Sequence, residues 1–201
     1  MTRKSIEFIY DCVSPNAYYV WQPLKDIAAK HGAAIVVTPV FLGAMHTLTG
    51  NTPPMVRDEA IKGKNAYALL ETRRFIAKHG LTKWRMNPIF PFHSLPLQRM
   101  LISLDQSERP AFMDATLAAL WEGELDVNDA GALAKAIEDA GFNAQALFAA
   151  AQQPEIKDAV KAATQDAVAR GVFGIPSFFV GDELFFGKER LAQIEEELEA
   201  G

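Results

Sequence analysis

The N-terminal part of the chain carries an apolar pattern that predicts a strand, a helix and a second strand. Residues 5–10 form a short apolar run typical of a buried strand. In residues 15–31 the apolar side chains recur close to helical spacing, and a lysine, a histidine and a following glycine mark the end of the segment. Residues 34–41 are rich in β-branched side chains. This order indicates two parallel strands joined by a right-handed helical crossover.

The middle of the chain has helical periodicity almost throughout, after a turn-rich stretch at residues 47–54. Strand patterning returns only near the C-terminus. There, residues 177–180 and 183–186 flank Gly181-Asp182, a dipeptide typical of a hairpin turn. Candidate helices cover residues 57–79, 94–106, 110–122, 129–140, 144–151, 154–170 and 188–199.

These elements predict an α/β fold, a thioredoxin-like βαβ-ββα core with a large all-helical insertion. Residues 1–55 and 171–201 are expected to form the thioredoxin-like domain, and residues 56–170 the inserted helical domain. The length of 201 residues suits one large domain or one domain with an insertion, and a hydrophobic content of 49% predicts an ordinary globular core.

Charge and composition argue against several classes of function. The formal net charge of −5, with scattered basic residues, argues against nucleic acid or an anionic membrane surface as a partner. No apolar stretch is long enough for a signal peptide or a membrane span, so a cytoplasmic protein is expected. The single cysteine, Cys12, excludes an internal disulfide, and the four histidines show no i, i+4 pair, so no metal site is expected. The sequence contains no phosphate-binding loop, so no nucleotide cofactor is expected.

Ser14 lies where the first strand gives way to the first helix, with Pro15 directly behind it. Proline is favoured at the first helical position, and serine is a good N-cap. A helix N-terminus offers free backbone N–H groups and the positive end of the helix dipole, so it suits an anion or a thiolate. Redox enzymes with this layout have a cysteine here. Ser14 is therefore either part of an anion site or a simple N-cap.

A second candidate region is the segment from Gly171 to Phe178, which enters the third strand through a proline. Pro176 cannot donate to the strand ladder and therefore belongs at the start of the strand. The Ile175-Pro176 bond is a candidate cis peptide, which would present the Ile175 backbone to an extended ligand near Ser14. A plain helix-to-strand turn is the alternative.

Four motifs occur in order along essentially the whole chain. They are Ser14-Pro15-x-x-Tyr18, Gly50-Asn51-Thr52-Pro53-Pro54, Val172-Phe173-Gly174-Ile175-Pro176 and Phe186-Gly187-x-x-Arg190-Leu191. Each is weak alone, and together they resemble the 2-hydroxychromene-2-carboxylate isomerases. That family is related to the kappa-class glutathione transferases and to bacterial disulfide oxidoreductases with the same inserted helical domain.

The resemblance implies glutathione as the cofactor and a site to hold it. Ser14 would be the catalytic residue, hydrogen-bonding the glutathione sulfur and favouring its thiolate. The backbone of Ile175, before Pro176, would pair with the cysteinyl part. Asn51 would lie in the ligand site, although a simple turn residue is an equal interpretation. The lysines expected near the glycine carboxylate, for which a solvated helix face is the alternative, are Lys62 and Lys64.

The chain departs from that family after Phe186-Gly187. Where the family often has a small polar residue and an aspartate for the γ-glutamyl end, this chain has Lys188-Glu189. Glu189 keeps the carboxylate, whereas the small capping residue is lost, which leaves the choice of thiol open. A C-x-x-C redox motif is also lacking, because its two positions hold Ser14 and Ala17. The thiol must therefore come from the ligand.

Residues 85–94 are rich in proline and aromatic side chains and resemble a family loop that lines the acceptor pocket. A ring-bearing substrate would stack on Phe90 or Phe92. The candidates for binding its carboxylate are Arg85, Asn87 and His93. A packed interhelical loop is the alternative.

The function implied by the resemblance is glutathione-dependent isomerisation of the 2-hydroxychromene-2-carboxylate type in aromatic catabolism, by thiolate addition, bond rotation and elimination. A homodimer with a small-molecule aromatic substrate is expected on the same ground. Two alternatives stay open: a kappa-like glutathione transferase acting on another electrophile, and a non-catalytic thioredoxin-fold binding protein.

Overall fold

The computed structural model describes residues 4–200 and contains a four-stranded mixed sheet. Its strands are β1 (Ser5–Tyr10), β2 (Ala34–Pro39), β3 (Ser177–Val180) and β4 (Glu183–Phe186). The strand order is β2-β1-β3-β4, in which β1 and β2 are parallel and β3 is antiparallel to both of its neighbours. Ser5 pairs with Ala34 in the parallel pair, and Phe8 pairs with Phe178 across β1 and β3.

Ten α-helices and one 3-10 turn lie within residues 4–200. The helices are α1 (Pro15–His31), α2 (Leu42–Thr49), α3 (Pro54–Arg57), α4 (Lys64–Lys78), α5 (Leu95–Ser103), α6 (Arg109–Trp121), α7 (Ala130–Asp139), α8 (Ala144–Ala150), α9 (Pro154–Ala169) and α10 (Leu191–Ala200). The 3-10 turn, Lys188–Arg190, leads directly into α10. α1 and α10 lie together against the sheet, and α5 and α9 contact β2. None of these helices is both long and apolar enough to cross a membrane.

The predicted fold class is confirmed: the βαβ and ββα parts form one sheet, and the chain between them is helical. The predicted hairpin is also present, with Gly181 in the left-handed conformation that its turn requires (φ +59°). The division of the chain into two domains at residues 55 and 170 stays a prediction.

The predicted end of the second strand is wrong. β2 ends at Pro39 rather than at residue 41, and a helix that was not predicted, α2, begins at Leu42. The Leu42 N–H donates to Asp11 Oδ2 at 2.8 Å, a partner at the end of β1. This hydrogen-bond partner lies far away in the sequence, and the residue before α2 makes no side-chain cap. The local sequence therefore lacks the signal from which the start of α2 could be predicted.

The single helix predicted over residues 57–79 is divided into α3 and α4. Asp58 ends α3, and Gly63 takes a left-handed conformation (φ +85°) at the start of α4. Glycine tolerates that conformation at no steric cost, so it accommodates the break.

Aromatic side chains fix α1 on the sheet. Phe8 of β1 stacks on Trp21 of α1, with 5.9 Å between the ring centroids, and on Phe178 of β3, at 5.2 Å. None of the three is more than 4% exposed. Buried rings dominate core energetics, so this stack determines where the first turn of α1 lies relative to the end of β1.

Gln98 of α5 ties the ends of β1 and β2 to the helical part of the chain. It is 1% exposed. Its Nε2 donates to the carbonyl oxygens of Tyr10 (2.7 Å) and Val40 (3.0 Å), and its Oε1 accepts the N–H of Cys12 (3.4 Å). The Tyr10 carbonyl oxygen also accepts the Val40 N–H at 3.0 Å, so Gln98 adds a second bond there. One buried amide thus holds three points of the chain together.

We expect Gln98→Ala to lower the free energy of unfolding by about 2–4 kcal/mol, because buried backbone groups lose their hydrogen-bond partner. Urea denaturation measures the change. The matched control is Gln152→Ala at an exposed position, which should alter stability by less than about 0.5 kcal/mol. Similar effects of the two substitutions would contradict this role of Gln98.

Candidate functional site

Ser14 precedes the first turn of α1 and faces the loop before β3. Its backbone is extended (φ −80°, ψ 116°), and its hydroxyl makes no capping bond to the helix. Instead, Ser14 Oγ donates to the carbonyl oxygen of Ile175 at 3.3 Å, and the residue is 6% exposed. Ser14 is therefore the N-cap residue by position, but its side chain does not cap the helix. Ser14 joins two segments that are far apart in the sequence.

The Ile175-Pro176 bond is cis, as its place before the strand suggested. Side-chain and backbone hydrogen bonds hold the loop around it. Ser177 Oγ donates to the carbonyl oxygen of Gly174 at 2.8 Å, and the Gly187 N–H donates to that of Pro176 at 2.9 Å. The backbone on both sides of the Ile175-Pro176 bond is thus anchored by hydrogen bonds.

Asn51 connects the turn after α2 to the same loop. Its Nδ2 donates to the carbonyl oxygen of Phe173 at 2.7 Å, and its Oδ1 accepts the N–H of Thr52 at 2.9 Å. The adjoining Gly174 has no room for a side chain, since a Cβ there would lie 2.8 Å from the ring of Phe186. Asn51 is therefore a turn residue and also a bridge between two loops, and its contact with a ligand stays a prediction.

Lys62 and Lys64 lie near the start of α4, outside the contacts described above. Lys64 Nζ is 2.8 Å from Asp58 Oδ1, and Arg57 Nε is 3.1 Å from the same oxygen. Hydrogen bonds from Arg57 and then Lys64 lower the pKa of Asp58 to about 2. Lys64 is therefore already paired, whereas Lys62 is exposed.

Glu189 lies in the 3-10 turn that follows the Gly187–Pro176 contact, and it pairs with its own neighbour. The Lys188 side chain is only 10% exposed and forms an ion pair with Glu189, whose side chain is 59% exposed. Burial acts to raise the pKa of Glu189, but the Lys188 ammonium outweighs it and holds that pKa below its usual value. The carboxylate predicted to bind the cofactor is thus already neutralised by a lysine.

The aromatic side chains of the 85–94 loop pack on Trp121, at the end of α6. The ring centroids of Phe90 and Phe92 lie 5.9 Å and 5.8 Å from that of Trp121. Phe92 is 7% exposed, and Phe90 is half-buried. Trp121 Nε1 donates to the carbonyl oxygen of Cys12 at 3.1 Å. Through this bond the loop is joined to the turn that carries Ser14.

Asn87 holds that loop in place. It is 1% exposed, and its Nδ2 donates to the carbonyl oxygens of Leu120 and Leu125, both at 2.9 Å. Its Oδ1 accepts the N–H of Ile89 at 3.1 Å. Both ends of the amide are occupied, so in this arrangement Asn87 supports the loop and is not free for a substrate carboxylate.

Arg85 and His93 lie at the two ends of the loop and are exposed. Arg85 Nη1 donates to the carbonyl oxygens of Thr82 (3.0 Å) and Trp84 (2.8 Å), which leaves the other guanidinium edge open. The His93 ring lies 5.7 Å from that of Phe41, between centroids. These two are the predicted carboxylate binders whose polar groups reach the surface.

Three residues that support the site were not predicted: Asp11, Gln98 and Trp121. Asp11 is fully buried; its Oδ1 accepts the Val13 N–H at 3.0 Å and its backbone oxygen accepts the Ser14 N–H at 3.1 Å. Burial raises its pKa from 3.8 to about 6, against the lowering effect of the hydrogen bonds it accepts. An acidic residue directly after a buried strand was the signal in the sequence, but its partners could not be read there.

One group of possible metal ligands lies within residues 4–200, at the far end of α1 from Ser14. His31 Nε2 is 3.1 Å from Glu195 Oε1 and 3.9 Å from Glu199 Oε1. Glu195 Oε1 is also 2.6 Å from Lys30 Nζ, so this carboxylate already forms an ion pair within the protein.

The protein itself offers no reactive thiol at the site. Cys12 is 1% exposed, and burial, followed by the charge of Asp11, raises the pKa of its thiol well above the usual value. What the site does offer is the Ser14 hydroxyl, the start of α1 and the backbone of the Ile175-Pro176 loop. Such a set can bind and orient an anion or a thiolate that a ligand brings.

The family described as DSBA-like thioredoxin domain matches residues 5–199. A protein of Sphingobium xenophagum named 2-hydroxychromene-2-carboxylate isomerase is 28% identical, over 96% of either chain. A Pseudomonas putida protein of the same name is 26% identical, over 94% of this chain and 92% of its own.

Solved structures agree on the fold. A 2-hydroxychromene-2-carboxylate isomerase superposes with a TM-score of 0.83 at 22% identity, covering 98% of this chain and 95% of its own. A probable DsbA oxidoreductase from Streptomyces coelicolor gives a TM-score of 0.72 at 18% identity, with coverages of 98% and 91%.

We expect Asp11 to make stability depend on pH. The folded state holds its proton to about pH 6, whereas the unfolded chain releases it near 3.8. The stabilisation that comes from this tighter proton binding is therefore fully present below the pKa of Asp11 in the unfolded chain. It is lost as the pH rises through 6. The stability of Asp11→Asn relative to wild type should rise over that window by roughly 3 kcal/mol, from a shift of about two pKa units. Urea denaturation at a series of pH values measures it, and a constant difference would contradict the assignment.

Proposed function

We propose that this chain, which belongs to the DSBA-like thioredoxin domain family, is an isomerase that acts on a small aromatic substrate with glutathione as its cofactor. The whole-length similarity to two proteins named 2-hydroxychromene-2-carboxylate isomerase supports the reaction class. The observation that carries the proposal is the Ser14 hydroxyl, which lies at the start of α1 against the Ile175 carbonyl, in a site without a usable cysteine.

The residues present fit a bound thiol. A hydroxyl donor beside a helix N-terminus stabilises a thiolate by a hydrogen bond and by the helix dipole. The Ser14 hydroxyl contacts the Ile175 carbonyl oxygen, so the Ile175 backbone lies at the Ser14 turn, where it can pair with an extended peptide. When bound there, glutathione would supply a nucleophile that is also a good leaving group, which permits addition, bond rotation and elimination at a conjugated double bond.

The chain's own residues divide the remaining tasks. Ser14 holds the sulfur and favours its charged form, and Asn51 fixes the loop on which the ligand backbone would lie. Phe90 offers a half-buried ring for an aromatic substrate, with Phe92 and Trp121 behind it.

Two exposed groups on the 85–94 loop can receive the substrate carboxylate. The free edge of the Arg85 guanidinium suits it best, because arginine binds carboxylates in a bidentate way. His93 is the second candidate, at the opposite end of the loop. Neither is committed to a carboxylate of the protein within residues 4–200.

We expect Ser14→Ala to reduce glutathione-dependent isomerisation of 2-hydroxychromene-2-carboxylate by roughly 100-fold, the size of effect that loss of one charge-stabilising donor has elsewhere. Steady-state kinetics and calorimetric titration with glutathione measure it. Ser103→Ala is the matched control, because Ser103 Oγ bonds only the local Met100 carbonyl oxygen (2.7 Å). It should retain activity.

The same experiment separates the alternatives. Conjugation of a chlorinated aromatic acceptor without isomerisation would favour a kappa-like transferase, since the thiol site serves either reaction. A wild-type protein that binds no glutathione at millimolar concentration would contradict both, and would favour a binding protein for another ligand.

We also propose that the protein forms a homodimer through the segment 48–70. Large apolar side chains in this segment are 41–64% exposed: Leu48, Met55, Val56, Ile61, Tyr67, Leu69 and Leu70. α4 has no buried residue, which is unusual for a helix with apolar side chains on several sides. Exposed apolar patches of this kind mark interaction surfaces, and a second copy of the same surface would cover this one.

We expect wild type to sediment at twice the mass of the chain and Leu70→Glu to shift it to the monomer, because a charge would be buried in the apolar contact. Sedimentation velocity over a range of concentrations measures this. Met86→Glu, at an equally exposed apolar residue outside the segment, should leave the dimer intact. A wild-type monomer at every concentration would contradict the proposal.

A further inference from the structure

Asp11 is the fully buried charged residue nearest to Ser14, and the proposed reaction does not use it. We propose that Asp11 is the positioning residue of the thiol site, whose carboxylate holds the Ser14 turn in place and whose negative charge opposes that of a thiolate bound there. The inference deepens the proposed function and rests on it for the identity of the sulfur ligand.

The positioning part follows from three hydrogen bonds. Asp11 Oδ1 accepts the Val13 N–H (3.0 Å), Oδ2 accepts the Leu42 N–H (2.8 Å), and the backbone oxygen accepts the Ser14 N–H (3.1 Å). One residue therefore ties the turn before α1 to the start of α2. Without these bonds the Ser14 turn would have backbone N–H groups buried and unpaired.

The electrostatic part follows from what surrounds the carboxylate. The titratable groups that act on it are Tyr10 and Cys12, both buried with raised pKa values and therefore uncharged near neutral pH. The polar side chain facing it is that of Ser94, the residue before α5, and α2 contributes the Leu42 N–H. No lysine, arginine or histidine among residues 4–200 forms an ion pair with Asp11. Its charge is therefore balanced by dipoles alone and acts on the nearby Ser14 position.

Such a charge has a use in thiolate chemistry. The helix N-terminus and the Ser14 hydroxyl both lower the pKa of a thiol, but nucleophilicity falls together with that pKa. The best attacking thiol has a pKa near the ambient pH. A negative charge beside the site raises the pKa again, so Asp11 would keep the sulfur reactive rather than merely ionised.

The test places a thiol at position 14 and measures its pKa from the ultraviolet absorbance of the thiolate. Cys12→Ala/Ser14→Cys is the background, in which the introduced thiol is the only one. Adding Asp11→Asn should lower the pKa of that thiol by about one unit, as Coulomb's law gives for unit charges roughly 10 Å apart in a partly buried setting. An unchanged or higher pKa would overturn the inference.

Gln98→Ala in the same background is the matched control. It removes neutral hydrogen bonds from the same segment, including one to the Cys12 N–H, and leaves the charge in place. Its thiol pKa should stay within a few tenths of the background value, although its stability falls. An equal drop in both variants would assign the effect to loosening of the turn and would overturn the role of the charge.

A second measurement covers the case in which Asp11→Asn does not fold. The side-chain carbonyl NMR signal of Asp11 is titrated in the background protein after alkylation of the introduced thiol with iodoacetamide, which leaves a neutral group, and with iodoacetate, which leaves a carboxylate. Coupling between two charged sites is reciprocal, so the anionic adduct must raise the pKa of Asp11 relative to the neutral adduct. The same Asp11 pKa in both adducts overturns the inference. None of these measurements uses glutathione, so failure of the proposed function and failure of this inference are separate results.

Discussion

The site depends on how the backbone groups at the carboxyl ends of β1 and β2 are satisfied. Where the strands of a buried parallel pair end, backbone N–H and carbonyl groups remain that water cannot reach. Each of these groups needs a hydrogen-bond partner. Asp11 and Gln98 provide them, one as a carboxylate acceptor and one as an amide that donates twice and accepts once. The turn before α1, the start of α2 and the helical insertion are thereby joined at one place.

That junction explains why the Ser14 hydroxyl is available for chemistry. A serine at this position would ordinarily cap the helix, yet its hydroxyl points instead to the Ile175 carbonyl oxygen. The turn does not need the cap because Asp11 already binds two of its N–H groups. A bond of 3.3 Å to a single carbonyl oxygen is weak, so a ligand sulfur can replace it at small cost.

The sequence was sufficient for those features that local patterns determine. Four strands, the hairpin at Gly181, the helix after Ser14 and the cis Ile175-Pro176 bond all depend on residues adjacent in the chain. α2 was missed because its anchor is the distant Asp11 carboxylate.

The interpretation of Asn87 shows the same limit within the site. This polar residue in an aromatic-rich loop was a candidate for binding a substrate carboxylate, but its amide N–H groups already donate to the carbonyl oxygens of Leu120 and Leu125. Contacts between residues far apart in sequence decide whether a polar side chain is structural or functional, and single-sequence patterns do not contain them.

The Lys188-Glu189 pair bears on which thiol the site selects. A free carboxylate at Glu189 would attract the ammonium group of a γ-glutamyl end, but here Lys188 already neutralises it. Because the Lys188 side chain is largely buried, it cannot swing into solvent without exposing its apolar stem and losing its contact with Phe75. In the proposed glutathione site, the γ-glutamyl end would either separate the pair or bind it as a unit, with its own carboxylate on Lys188 and its ammonium on Glu189. Its zwitterionic form would match both charges, so the departure from the family pattern is compatible with the proposed cofactor.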